Sequence, residues 1–254
     1  MKVTAFIGSG RKGHSYNASE KFLQNLQSLG KIEYELVRLS DYNLGTCKGC
    51  RVCFDKGEEF CPYKDDRDKL IEKMNNSDGV VFASPNYSFQ VSSLLKIFID
   101  RLAFTFHRPS FFGKTFTSIV VQGIGKGEQI VKYLDFIGKG MGFNNVKGCC
   151  IKTLEPMTEK SQKEFDRILD LQSKKFYTQL VKSEHPSPSL WWLMEFRMGR
   201  TSMHKMLDET WRDYTYYRDK GWFDSDYFYP VKLNPLKKLS GKIFDKLAIQ
   251  IIRS

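Results

Sequence analysis

Nothing in the sequence approaches the ~18 consecutive apolar residues that a membrane-spanning helix needs, so no transmembrane segment is expected. The short apolar run inside MKVTAFIGSGRKG leads straight into a glycine turn and lacks the small-residue cleavage site of an export signal. The chain is therefore read as intracellular, in the cytoplasm. Internal repeats and low-complexity tracts are absent, as is any block of five or six like charges, so no repeat array and no charged tail is expected. The first glycine-containing loop is neither the Gly-x-Gly-x-x-Gly of a dinucleotide fold nor a P-loop, since it lacks the Gly-Lys-Ser/Thr ending.

What is present is enough apolar material for a sizeable core. The 254 residues are 41% hydrophobic and 14% aromatic, which suits one large domain or one domain with an addition. Forty basic residues against 29 acidic ones leave a net charge of +11. Because these charges are spread out, a solvated basic surface with a pocket for a phosphorylated cofactor is favoured over a polyanion partner. Nucleic acid is not expected as a partner.

The first 150 residues alternate between two periods. KVTAFIG (2–8), IEYELVRL (32–39), DGVVFASP (78–85), KTFTSIVVQG (114–123) and NNVKGCCIKTL read as strands. Between them, SYNASEKFLQNLQSLG (15–30) carries Phe22, Leu23, Leu26 and Leu29 at helical spacing and stops on Gly30. DDRDKLIEKMNNS, SSLLKIFIDRLAF and EQIVKYLDFIGKGMG complete the alternation, and a long helix follows over roughly 157–182. Strand and helix in regular alternation predict a five-stranded parallel sheet with helices on both faces, a three-layer α/β sandwich. In such sheets ligands bind beyond the carboxyl ends of the strands.

Three loops fall at that edge. IGSGRKGHSYN follows the first strand and opens a helix, which makes it a phosphate cradle: converging backbone amides, the hydroxyls of Ser9 and Ser15, the cation of Arg11, and a helix N-terminus. His14 there reads as solvated. SPNYSFQVSS (84–93) offers Pro85, Asn86, Tyr87, Ser88 and Phe89, two of them aromatic and suited to a flat conjugated ring. QGIGKGEQ (122–129) has glycines at 123, 125 and 127, which permit close backbone approach. Together the loops suit flavin mononucleotide (FMN), with its phosphate in the first loop and its isoalloxazine ring against the other two.

At this point GSGRKGHS, CKGCRVCFDKGEEFCPYKDD, DGVVFASPNYSFQVSSLLKIFIDR and VVQGIGKG, in that order over residues 1–150, resemble the flavodoxin-like NAD(P)H-dependent FMN reductases, and within them the iron–sulfur flavoproteins. The resemblance implies that Ser9, Arg11, Ser15, Tyr16 and Asn17 hold the phosphate, that Pro85, Asn86, Tyr87 and Ser88 line the ring, and that Gly123, Gly125 and Lys126 close its other side. Gly10 stands where proline is commoner, and Tyr16 where a small hydroxyl residue is usual. Asp100 and Arg101 lie in a matching segment and read as a helix ion pair. The resemblance also implies a homo-oligomer, dimer or tetramer.

Cys47, Cys50, Cys53 and Cys61 follow the pattern C-x2-C-x2-C-x7-C, then Pro62. Three cysteines in immediate succession fit an iron–sulfur cluster better than a zinc site. Three readings stay open: a [4Fe–4S] cluster on these four thiols, as the resemblance implies; zinc; or thiols that shape the loop. Cys149 and Cys150 read as buried small hydrophobes.

Residues 1–182 are taken as the FMN-binding domain and 183–254 as an extension that packs on the core or on a partner subunit. The extension holds all four tryptophans. Phe244, Leu247, Ala248 and Ile251 fall on one helical stripe, expected to pack on the core or on a partner subunit, while Trp211 and Trp222 suggest a lid. Contact with an anionic membrane surface, helped by Lys242, Lys246 and Arg253, is the lesser reading. The function expected is redox: FMN takes electrons from NAD(P)H or a reduced protein donor and passes them to a flavin, a quinone-like or another small acceptor. The alternative is an electron carrier with a [4Fe–4S] cluster, a ferredoxin-like partner and no small-molecule substrate. No catalytic side chain is nominated.

Overall fold

The computed structural model describes residues 1–182 and 185–253. They form two compact units. One comprises residues 1–48 and those from 63 to 182, and the other comprises residues 49–62 and those from 185 onward. The boundary expected at 183 falls on residues outside the description. Residues 49–62, counted with the N-terminal domain in the sequence reading, group with the C-terminal residues.

The first unit is built on six strands: β1 (Lys2–Ile7), β2 (Glu33–Arg38), β3 (Gly79–Pro85), β4 (Thr115–Gln122), β5 (Asn144–Asn145) and β6 (Cys149–Lys152). All pairings are parallel, in the order β2-β1-β3-β4-β5, and β6 also pairs with β4. The helices of this unit are α1 (His14–Leu29), α3 (Arg67–Asn75), α4 (Ser93–Arg101), α5 (Gly127–Gly140) and α6 (Glu159–Leu180), while α2 (Val52–Asp55) lies in the other.

Strand periodicity divides the core into two layers. Phe6, Val80, Phe82, Phe116 and Val120 point to one face, where Leu70, Leu95, Phe98, Ile130 and Leu134 of α3, α4 and α5 meet them. Val3, Ala5, Ile7, Val81, Ala83, Ile119 and Val121 point to the other, against Phe22 and Leu26 of α1 and Phe165, Leu169 and Phe176 of α6. Burial on both faces explains why these strands read as apolar runs. The three-layer flavodoxin-like sandwich is as expected.

The fifth strand position is split. Between β5 and β6, residues 146–148 interrupt the strand; Val146 N–H still donates to the Phe116 carbonyl (2.8 Å), and Gly148 passes so close to β4 that a Cβ there would sit 2.0 Å from Ser118 Oγ. Polar groups fill the break. Gln172 Nε2 of α6 donates to Thr117 Oγ1 (2.7 Å) and to the Lys147 carbonyl (2.8 Å), and Gly148 N–H donates to Asp135 Oδ1 (3.0 Å). Cys149 and Cys150 are partly buried, one packed against each core layer, and burial pushes their thiols up to about 12 and about 11.

The second unit contains α7 (Leu190–Met206), α8 (Arg212–Asp219) and α9 (Pro235–Arg253), and α2 contacts α8 within it. Its aromatic residues make a core of their own: Phe196 packs on Tyr227 and Phe228, and Tyr217 meets Trp222 edge-on at 4.8 Å. The Trp222 indole N–H donates to the Phe228 carbonyl at 2.9 Å, so this tryptophan belongs to the core of the second unit. Arg197 and Arg200 of α7 converge on Asp245 of α9, which also accepts from Thr201 Oγ1 at 2.8 Å. Within the chain the stripe read on α9 is divided between two faces. Asp245 turns inward with Gly241 and Ala248, and Leu247 and Ile251 face out.

Gly138 gives a test of core tightness. A methyl there would lie 2.3 Å from Cδ1 of the fully buried Phe116 ring, which Phe82 abuts edge-on at 5.1 Å. Alanine is worth about 1 kcal/mol over glycine in a helix, but overpacking costs about 1 to 3 kcal/mol. Gly138→Ala is therefore expected to lower the urea midpoint; a raised midpoint would show that Phe116 has room to move.

Candidate functional site

Strand order reverses between β1 and β3, so the loops leaving their carboxyl ends diverge there and open a crevice. The first loop is seated by Gly8. Its N–H donates to the Ala83 carbonyl (2.8 Å), and a Cβ there would lie 2.5 Å from Ser92 Oγ and 2.8 Å from Leu95 Cβ. Only glycine lets this loop lie against the start of α4.

The loop then turns into α1. Ser9 is buried; its hydroxyl donates to the Arg11 carbonyl (2.9 Å), so its O–H shapes the loop. The first helical bond runs from Asn17 N–H to Gly13 O (3.0 Å). The amides of His14, Ser15 and Tyr16 thus precede the helical ladder. No side chain caps them, and no acid lies in that first turn. Arg11 and Lys12 are exposed beside them, and Lys12 Nζ stands 5.4 Å from the Tyr16 ring centre. Ser15 is buried in the first turn, and Asn17 is exposed. His14 is not simply solvated, since its Nε2 meets Glu155 Oε1 at 2.7 Å.

The second and third loops are latched together by Asn86. Its N–H donates to the Val121 carbonyl (2.7 Å), and Nδ2 reaches Gln122 Oε1 (3.4 Å) and the Gly125 carbonyl (3.3 Å). Gln122 Oε1 also accepts from the Gly127 N–H at 2.8 Å. Asn86 Oδ1 is left buried without a hydrogen-bond partner. Beyond it, Tyr87 and Gln90 exchange both backbone bonds, which forces Ser88 (φ 50°) and Phe89 (φ 62°) into the left-handed region. Lys126 (φ 71°) shares that strain, and its Nζ lies 5.5 Å from the Phe89 ring centre. Three non-glycine residues in this conformation on facing loops mark a strained edge. Pro85 is buried; Tyr87, Phe89, Ile124 and Leu154 are exposed and apolar there.

The predicted residues therefore gather at one sheet edge, in three loops. Gly8, Ser92 and Gln122 were missed, because their roles depend on contacts across the sheet that no local motif signals.

The cysteine segment leaves the same edge after β2, and its stem is clamped. Arg101 of α4 holds Asp65 through both guanidinium ends, Nη1 to Oδ2 at 2.5 Å and Nη2 to Oδ1 at 3.1 Å. Nη1 also donates to the Gly45 carbonyl (2.9 Å), and Gly45 N–H donates to Asp65 Oδ2 (2.9 Å). Both side chains are buried, 2% and 6% exposed, and the Tyr63 ring covers the guanidinium at 4.8 Å. Arg101 is thus not half of a helix ion pair; Asp100 pairs instead with Lys96 at 2.6 Å. Among the described residues no three His, Cys, Asp or Glu are grouped as ligands for a metal ion. Cys47 and Cys50 are exposed, and Cys53 and Cys61 are half-buried.

Burial alone would raise the Asp65 carboxyl. The Arg101 hydrogen bonds and the amides of Gly45 and Arg67 outweigh it and hold Asp65 below the ordinary carboxylate range. Its stabilisation is therefore complete above the unfolded value, about 4, and is lost as pH falls through the lower folded value. Arg101→Met is expected to cost about 3 to 5 kcal/mol by leaving a buried charge unpaired. Denaturant titration at neutral pH checks this. Asp65→Asn should flatten the loss of thermal midpoint below pH ~4; an unchanged acid limb would show that other carboxylates set it.

Comparison with known proteins fits this edge. An iron–sulfur flavoprotein of Archaeoglobus fulgidus is 38% identical over 144 residues, 56% of this chain and 64% of its own length. The next two curated relatives are covered over 48% and 51% of their length. An iron–sulfur flavoprotein of Clostridioides difficile is 26% identical over 195 residues, 73% of this chain and 82% of that relative. The solved NAD(P)H:quinone oxidoreductase of Methanothermobacter marburgensis shares the fold at TM-score 0.54 with 14% identity, over 68% of this chain and 98% of that one. The profile described as NADPH-dependent FMN reductase matches residues 1–151, and the chain belongs to that family.

Proposed function

We propose that this chain is an FMN-dependent oxidoreductase that draws electrons from NAD(P)H, or from a reduced protein donor, and delivers them to a flavin, a quinone-like compound or another small acceptor. FMN, when bound, supplies the redox chemistry by accepting a hydride or electrons and releasing them. The observation that carries the reading is the orphaned Asn86 Oδ1. It is a buried acceptor held between two strained loops, and such a group costs free energy until a donor meets it. The N–H of a flavin's pyrimidine ring is a donor of that kind. At the other end of the crevice, uncapped amides beside Arg11 and Lys12 suit the phosphate dianion. Tyr87, Pro85, Gly123, Gly125 and Lys126 would flank the ring, and Ser15, Tyr16 and Asn17 the phosphate. A cytoplasmic homo-oligomer belongs to the same proposal.

A second reading is an iron–sulfur electron carrier, with a [4Fe–4S] cluster on Cys47, Cys50, Cys53 and Cys61 passing electrons to a ferredoxin-like partner. Its support is the cysteine spacing and the names of the relatives. Among the described residues no three His, Cys, Asp or Glu are grouped to hold a metal ion, and the first reading runs without a cluster.

Titration of the apoprotein with FMN and with riboflavin separates the phosphate contribution from that of the ring. FMN should bind much more tightly, and Arg11→Ala should shrink that preference by about 10- to 100-fold, the range of a charge-assisted bond. Equal affinity for both ligands in the unaltered chain would remove the phosphate cradle. NADH or NADPH oxidation with a quinone acceptor then tests turnover; negligible turnover with FMN bound would favour the carrier. Iron and acid-labile sulfide measured after anaerobic purification decide the second reading. About four of each per chain would establish it, and flavin without iron after reconstitution would exclude it.

A further inference from the structure

The outer face of α9 is not accounted for by an oxidoreductase. Leu236, Leu239, Ile243 and Leu247 fall three to four residues apart and are between 42% and 75% exposed. Helical periodicity places them in one row along the helix. Lys238, Lys242 and Lys246, all exposed, form a second row beside it at four-residue spacing. The sole acid of this helix, Asp245, lies off both rows, is only 21% exposed and is held by Arg197 and Arg200, so neither row carries a carboxylate. Lys237 Nζ bonds Ser187 Oγ at 3.0 Å, which sets the start of α9 beside the start of α7, where Leu190 and Trp191 are also exposed. The helix is not long and apolar enough to cross a membrane. An aliphatic row flanked by lysines, with an exposed tryptophan at one end, is instead the pattern of a helix lying in the plane of a bilayer interface.

We propose that α9 docks this protein onto an anionic lipid surface, with Leu236, Leu239, Ile243 and Leu247 entering the interface and Lys238, Lys242 and Lys246 meeting the headgroups. Charge complementarity selects this occupant. A second copy of the chain would bring the same lysine row and the same net charge of +11 to the contact, whereas an anionic leaflet attracts both. The proposal does not depend on FMN binding.

The full chain is sedimented with vesicles of phosphatidylcholine alone and with vesicles that also contain phosphatidylglycerol. Binding is expected to the second and not the first, and to fall steeply as salt is raised. The triple variant K238Q/K242Q/K246Q should lower partitioning by roughly a hundredfold, since each lysine near an anionic surface contributes about fivefold. L239Q/I243Q/L247Q should lower it at least about tenfold. All six positions are exposed and glutamine keeps helix propensity, so both variants should retain the far-UV circular dichroism of the unaltered chain. No binding to the anionic vesicles, or equal binding to both kinds, would overturn the proposal. So would a stable dimer in vesicle-free solution that L239Q/I243Q/L247Q dissolves, which would assign the row to a second copy.

Discussion

The buried pair between Arg101 and Asp65 is the constraint on which the site's geometry rests. It joins the end of α4 to both feet of the cysteine segment, at Gly45 and at Asp65. A second tie, between Asn43 and Asp66, closes the same stem with bonds of 2.8 and 3.0 Å. Burying two charges is costly unless every bond is satisfied. Here the guanidinium and carboxylate between them also satisfy the N–H and C=O of Gly45, so a loop that would otherwise leave orphaned backbone groups is held shut. The helix that carries Arg101 begins at Ser92, the residue against which Gly8 seats the first loop. One short helix therefore fixes the Gly8 loop of the crevice at its start and the cysteine stem at its end.

The loops opposite are held in a different way. Ser88, Phe89 and Lys126 keep left-handed backbone without glycine, a conformation that costs about 1 to 3 kcal/mol at each residue. Glycine at these positions would relieve the strain but leave the loops free to sample other shapes. The Asn86 latch and the Tyr87–Gln90 pair hold them, and the ring of Phe89 and the ammonium of Lys126 come to face one another.

Much of the fold was legible in the sequence because the central strands β1, β3 and β4 are buried on both faces, and because a helix such as α1 stops at a recognisable signal, Gly30. The three ligand loops were legible for the same reason, being whatever follows β1, β3 and β4. What escaped depends on contacts between distant residues. Arg101 and Asp65 are 36 positions apart, and nothing local distinguishes Asp65 from Asp66 or Asp100 as the partner. The inward turn of Asp245 on α9 also escaped, because an acid in an amphipathic helix is normally read as outward. Two arginines on α7 reverse that rule, and the helix turns with them. At the break in the fifth strand, local composition does not encode how close Gly148 comes to Ser118.

That break bears on how the molecule behaves in a crowd. A sheet edge with unpaired N–H and C=O groups is a template on which another chain can add a strand. On the β5–β6 side, the template is cut into one piece of two residues and one of four, and the gap between them is occupied by Gln172 and Asp135. An incoming strand would find no continuous row to zip along, and a side-chain amide and a carboxylate in its way. The interruption thus guards the protein against polymerising through this edge of its sheet.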